Sequence, residues 1–199
     1  MSWTAFHSRG ETLHAVVDAA NTHRDGILPM QVPGVTENFT DEIDLVGALL
    51  LKWHARLSGN IERALVREPM NLEAAVAAAW RTTAEQLPGV RLVVDRCTQW
   101  PQTPEMEQAM ERAREREWVR LATAAGLASA QSPAAVAAGR RVEALAREGL
   151  SSELQPDEPE PGENSGTTHA TESGTTGGEA VAPRSTESFV DRIKAVLAA

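Results

Sequence analysis

Apolar residues recur at helical spacing through most of the first 150 positions. Phe6, Leu13, Val16, Val17 and Ala20 share one face of a segment that starts near Ser2 or Thr4 and runs to His23, and Asp25-Gly26 stops it. Leu45, Leu49, Trp53, Leu57, Ile61 and Leu65 form a longer stripe, capped by Thr40 or Asp41 and ended by Pro69, which predicts the central helix. Asn71 restarts the chain as an N-cap, and Ala75, Val76, Ala79 and Trp80 predict a helix to about Gln86. Pro88-Gly89 reads as a break. The following stretch, Val90 to Trp100, suits a strand or a short helix; a lone strand has no partner in this chain, so a helix is expected.

Thr103-Pro104-Glu105 opens another helix, with Met106, Met110, Trp118, Leu121 and Ala125 inward and Gly126 ending or bending it. The last core helix, Pro133 to Arg147, is rich in Ala and has few larger apolar groups, Val136, Val142 and Leu145. It is expected to pack weakly and to close at Gly149. One connection is unusual: from Ile27 to Phe39 the chain is apolar but interrupted by Pro29 and Pro33. Loops of that length are commonly functional or packed down by their own side chains, and a role covering the end of the bundle is favoured over a partner-binding lip. Asn38-Phe39-Thr40 matches a glycosylation sequon, but a helix start capped by Thr40 is the simpler reading.

The predicted fold class is therefore all-α, a compact multi-helix bundle over residues 1–150. From Ser151 to Ser185 the composition changes to Ser, Thr, Gly, Pro and acids, which predicts a disordered acidic linker of about 30 Å root-mean-square span. Residues 186–199 then form a predicted amphipathic docking helix. Phe189, Val190, Ile193, Val196 and Leu197 lie at i, i+1, i+4, i+7 and i+8, and Ser185, Thr186 or Ser188 can cap it. A helix this short is marginal in water, so it is expected to fold on docking. Burying the five side chains offers roughly 8–12 kcal/mol, set against an association and ordering cost of similar size, so a single contact should be micromolar or weaker. The surface it meets is either a protein partner or, through the high effective concentration of a tether, the chain's own core; the pattern leaves both open.

Composition narrows the functional classes. Arg outnumbers Lys 17 to 2, which together with the Ala excess points to a GC-rich bacterial genome. The net charge of −9 is concentrated in the linker, where seven acids between Ser151 and Thr186 face only Arg184. The nearly balanced core offers no basic excess for phosphates, so no nucleic-acid partner is expected. A single cysteine, Cys97, excludes an intrachain disulfide and a Cys-rich zinc site. With no signal-like start and no long apolar run, a cytoplasmic protein without a membrane span is expected.

Candidate chemistry is sparse. His7, Glu11, His14 and Asp18 align on the first helix, and Glu11-x-x-His14 has the spacing of di-iron bundles. A second such motif is missing, although a homo-oligomer could supply one, so a metal site at His7, Glu11 and His14 is the lesser reading beside a polar helix face. His54 has Glu42 and Glu62 on neighbouring turns but reads as a satisfied boundary residue. Rows of Glu107, Glu111 and Glu115 and of Arg112, Arg116 and Arg120 suggest a solvated face. Gly-x-Ser-x-Gly, Walker-type and dinucleotide-binding patterns are absent, so no catalytic residue is assigned and no cofactor is expected.

Phe189-Val190-x-x-Ile193-x-x-Val196-Leu197, at the end of the chain behind a polar linker, resembles the encapsulation peptides of bacterial microcompartment cargo. The resemblance covers about 13 residues and implies docking on a shell protein as an amphipathic helix. The leading expectation is a non-enzymatic interaction or adaptor protein; the alternative is a helical metal-binding protein or metalloenzyme.

Overall fold

The computed structural model describes the backbone of residues 3–153 and the side chains of residues 8–150. The rest of the predicted linker and the docking helix at 186–199 lie outside the described residues. Seven helices and no strands account for the regular structure among the described residues: α1 Trp3–His23, α2 Val35–Asn38, α3 Glu42–Arg67, α4 Leu72–Gln86, α5 Pro88–Gln99, α6 Pro104–Ala124 and α7 Ala135–Glu153. The described residues are all-α, as the apolar periodicity predicts.

Local chemistry sets the boundaries. Arg24 and Gly26 take left-handed backbone conformations after α1 (φ 51° and 72°), and the Asp25 carboxylate accepts the Ile27 N–H at 2.8 Å. The apolar loop covers the bundle: Val35 and Phe39 are buried, and Leu28, Met30 and Val32 pack partly against the core. Its short helix, α2, is pinned to α1 by the Asn38 amide, which donates to Thr12 Oγ1 at 2.9 Å. Arg9 of α1 then grips Asp44 in the first turn of α3 through two hydrogen bonds of 2.7 and 3.0 Å, and also donates to the Asn38 carbonyl. Asp41, rather than Thr40, caps α3 by accepting the Asp44 N–H at 2.8 Å. From there Leu45, Leu49, Trp53 and Leu57 run fully buried along the central helix.

Two glycines show where sequence reading and structure diverge. Pro88-Gly89 is a helix start rather than a break: Leu87 ends α4 and precedes α5, and Pro88 occupies the first helical position, where its missing N–H costs nothing. Gly89 lies so close to α1 that a Cβ there would meet the Ala20 carbonyl oxygen at 1.9 Å. The ambiguous stretch that follows is helical, as expected.

The other divergence is α7. Ala135, Ala138, Val142 and Ala146 are buried, and a Cβ on Gly139 would come within 1.9 Å of the Trp118 carbonyl oxygen on α6. The expected weak packing is corrected: small side chains let the α6 and α7 backbones approach, and close contact replaces bulky side chains. Leu145, one of the few larger apolar groups of this helix, is exposed. Gly149 does not close α7, which continues to Glu153, so residues 151–153 belong to the helix instead of the linker. Gly149 instead gives room to Arg81 of α4, whose NH1 would lie 2.7 Å from an added Cβ.

Candidate functional site: a buried carboxylate lattice under a cleft

Two fully buried tryptophans create the demand around which the site is built. Trp53 on α3 and Trp80 on α4 meet edge to face, with centroids 5.6 Å apart and planes at 74°. Each indole N–H needs an acceptor once water is excluded. Glu117 of α6, itself only 5 % exposed, supplies both: Trp53 Nε1 donates to Oε2 at 3.1 Å and Trp80 Nε1 to Oε1 at 2.9 Å.

The carboxylate is balanced by two further side chains, one on α3 and one on α5. His54 Nε2 lies 3.2 Å from Glu117 Oε2. An ionised carboxylate only accepts, so that nitrogen must carry the proton, in the neutral Nε2–H tautomer or in the imidazolium. Arg91 of α5 rests its guanidinium 4.9 Å from the Trp53 ring centre and 5.6 Å from that of Trp80, and donates to Glu117 Oε1 at 3.3 Å. Its Nε and NH2 donate to Asp95 at 3.0 and 2.6 Å. Arg147 of α7 completes the span, donating to both Asp95 oxygens at 2.8 and 3.1 Å and, through Nε, to Glu143 at 2.9 Å. Glu143 in turn accepts the Trp118 Nε1–H at 2.6 Å. Charges of alternating sign therefore connect α5, α6 and α7, and through the indoles and His54 they reach α3 and α4.

The electrostatics keep Glu117, Asp95 and Arg147 ionised at neutral pH. Burial pushes the Glu117 carboxyl upward, but the His54 hydrogen bond, the Arg91 charge and the Trp80 N–H outweigh it and hold the group below the usual carboxylate range. Asp95 follows the same balance: burial opposes its charge, while Arg91 and Arg147 prevail and hold it low. Burial also works against the Arg147 charge, and hydrogen bonding to Asp95 with the Asp95 and Glu143 charges raises it. Every described buried side-chain nitrogen and oxygen has a hydrogen-bond partner. Lone pairs filled in this way suit a framework that fixes how five helices meet, more than a proton-transfer centre.

Above the lattice opens a cleft of about 330 Å³ between α3, α5, α6 and α7. Leu50, Val94, Met110 and Ala113 give it an apolar wall. At its rim Arg114 and Arg140 each place a guanidinium 4.6 Å from the Trp118 ring centre.

The structure distributes the sequence candidates differently. His54 is the satisfied boundary residue expected, but its partner is Glu117, 63 positions away, and not Glu42 or Glu62. Glu11 and His14 are exposed on α1, where His14 Nε2 lies 3.6 Å from Asp18, and the His7 side chain is outside those described. Among the described residues no group of three His, Cys, Asp or Glu comes together to hold a metal. The two charged rows of α6 are exposed, as a solvated face requires. Cys97 is half-buried, and burial, then the Glu42 charge, pushes its thiol up. Phe189, Val190, Ile193, Val196 and Leu197 lie outside the described residues. No helix among the described residues is long and apolar enough to cross a membrane.

Glu117, Asp95 and Glu143 are the residues sequence reading missed. A signal was present: Glu117 falls at i+4 from Ala113 and i−4 from Leu121, within the inward stripe of α6, where a charge needs a buried partner. No family model, curated protein or solved structure matches the chain.

Proposed function

We propose that the protein is a cytoplasmic interaction or adaptor protein: the helical core is its fixed part, and the C-terminal segment docks on a protein partner through Phe189, Val190, Ile193, Val196 and Leu197. The observation that carries this reading is the five-residue apolar stripe at the end of a polar, acidic stretch of sequence. The core adds support of a different kind. Its charged side chains bind one another across α5, α6 and α7 and reach α3 and α4 through the indoles and His54, an arrangement that gives a rigid platform. If the docking follows the encapsulation-peptide resemblance, the partner is a shell-forming protein.

Ile193→Glu and Leu197→Glu place charges in the stripe and leave the sequence of residues 1–150 unchanged. A partner cross-linked to the full chain should be identified, purified and titrated against both forms. Loss of binding in the charged variant with unchanged core unfolding supports the reading. Equal affinity of the two forms removes it, and a change in core stability without a change in partner affinity assigns the stripe to the chain's own bundle.

A further inference from the structure

Donors and acceptors in the cleft are unequally used. Beneath it, Asp95 accepts from Arg91 and Arg147, Glu143 from Arg147 and Trp118, and Glu117 from two indoles, His54 and Arg91. Each of these oxygens already accepts at least one hydrogen bond. At the rim the reverse holds: Arg114 and Arg140 lie against Trp118, and neither has an ion pair or hydrogen bond among the described residues. Each guanidinium carries five N–H donors in a fixed fork that matches a carboxylate or phosphate. Four arginines and three carboxylates line the cleft, which leaves it at +1 on a chain whose net charge is −9.

We propose that this cleft binds a small organic anion, a carboxylate or phosphate monoester with a short apolar body. Its acid head pairs with the rim guanidiniums of Arg114 or Arg140, and its body lies against Leu50, Val94, Met110 and Ala113. The volume, about 330 Å³, is at the small end of ligand-binding pockets. A cationic ligand is disfavoured because the carboxylates that would receive it are already held by arginines, and a bare inorganic anion would leave the apolar wall wet. Trp118 reports on occupancy, since both rim guanidiniums sit on its ring.

The test uses the full chain at fixed ionic strength, with hexanoate and hexyl phosphate as probes and hexanol, hexylamine and inorganic phosphate as controls, read by calorimetry and tryptophan fluorescence. One acid should bind saturably at a single site with a change in emission, and the alcohol and amine should not; which acid binds decides between carboxylate and phosphate. Arg114→Gln with Arg140→Gln should weaken binding about tenfold or more, and Arg114→Lys with Arg140→Lys should weaken it less. Both side chains are exposed, so helicity should survive; if the double glutamine variant loses helix content, each single variant must show a partial loss of affinity. The proposal is overturned if neither acid saturates, if the glutamine variants bind as the parent does, or if inorganic phosphate binds as tightly as hexyl phosphate.

Discussion

Removing the Glu117 side chain should be among the most damaging single changes available to this core. Glu117→Ala removes the acceptor of two indole N–H groups, on Trp53 and Trp80, both fully buried in the parent. Each stranded donor costs about 1–3 kcal/mol. Arg91 keeps Asp95 as a partner, and His54, at 17 % side-chain exposure, can turn toward solvent, so those two groups add little. Breaking a buried charged contact by deleting one side typically costs about 3–5 kcal/mol, which agrees with the sum over the two indoles. A domain of this size has roughly 5–15 kcal/mol in total, so Tm should fall by about 6–20 °C.

Glu117→Gln separates charge from shape. Its carbonyl oxygen can serve one indole, but its NH2 faces the other N–H, so about half the loss should remain. Asp44→Ala provides the surface comparison: it removes a pair with Arg9 in which both side chains are about one-third exposed, and should cost less than about 1 kcal/mol. Urea unfolding followed by far-UV circular dichroism and tryptophan fluorescence gives the ranking: Glu117→Ala loses most, Glu117→Gln less, and Asp44→Ala least. If Glu117→Ala unfolds within about 1 kcal/mol of the parent, the indoles have found other acceptors and the lattice does not organise the core.

Three glycine variants test the packing seams. Gly139→Ala and Gly89→Ala force a Cβ to within 1.9 Å of a backbone oxygen of the neighbouring helix, so each should lose several kcal/mol or fail to fold, whereas Gly47→Ala on the exposed face of α3 meets nothing and should gain about 0.5–1 kcal/mol; equal urea midpoints for all three would contradict the close approach. Acid should weaken the fold in a defined window. Because Glu117 and Asp95 titrate lower when folded than when unfolded, their stabilisation is present above their ordinary values of 4.5 and 3.8 and is lost as pH falls through the folded ones. The urea midpoint should therefore hold from neutral pH to about 5.5 and decline below about 4.5, with a shallower decline in Asp95→Asn; a midpoint that rises on acidification would refute this assignment.

Much of the fold was legible because its larger signals are local. The inward stripes of α1, α3, α4 and α6 follow from apolar spacing, and Asn71 and Thr103 cap where the sequence says they should, accepting the N–H of Ala74 and of Met106. The lattice was not legible for a physical reason. Glu117 meets Trp53 and His54 from positions 64 and 63 residues away, and Arg147 reaches Asp95 across 52. No spacing rule relates such residues, and their charges alone look like solvated surface. Only the placement of Glu117 within the apolar stripe of α6 hinted otherwise.

The misread packing of α7 and the missed lattice have one cause. Gly139 and the flanking alanines let α7 approach the α6 backbone at Trp118, and that closeness is what sets Glu143, one turn further on, within 2.6 Å of the Trp118 indole nitrogen. Another turn along the same face carries Arg147 to Asp95. A bulkier seam would hold α7 away, and the chain of charges from Glu143 to Glu117 would be broken at Arg147. Small residues that look like a weak apolar face are thus the condition for the polar contacts of Glu143 and Arg147, and a destabilised Gly139→Ala variant should lose its Trp118 and Arg147 contacts together rather than one by one.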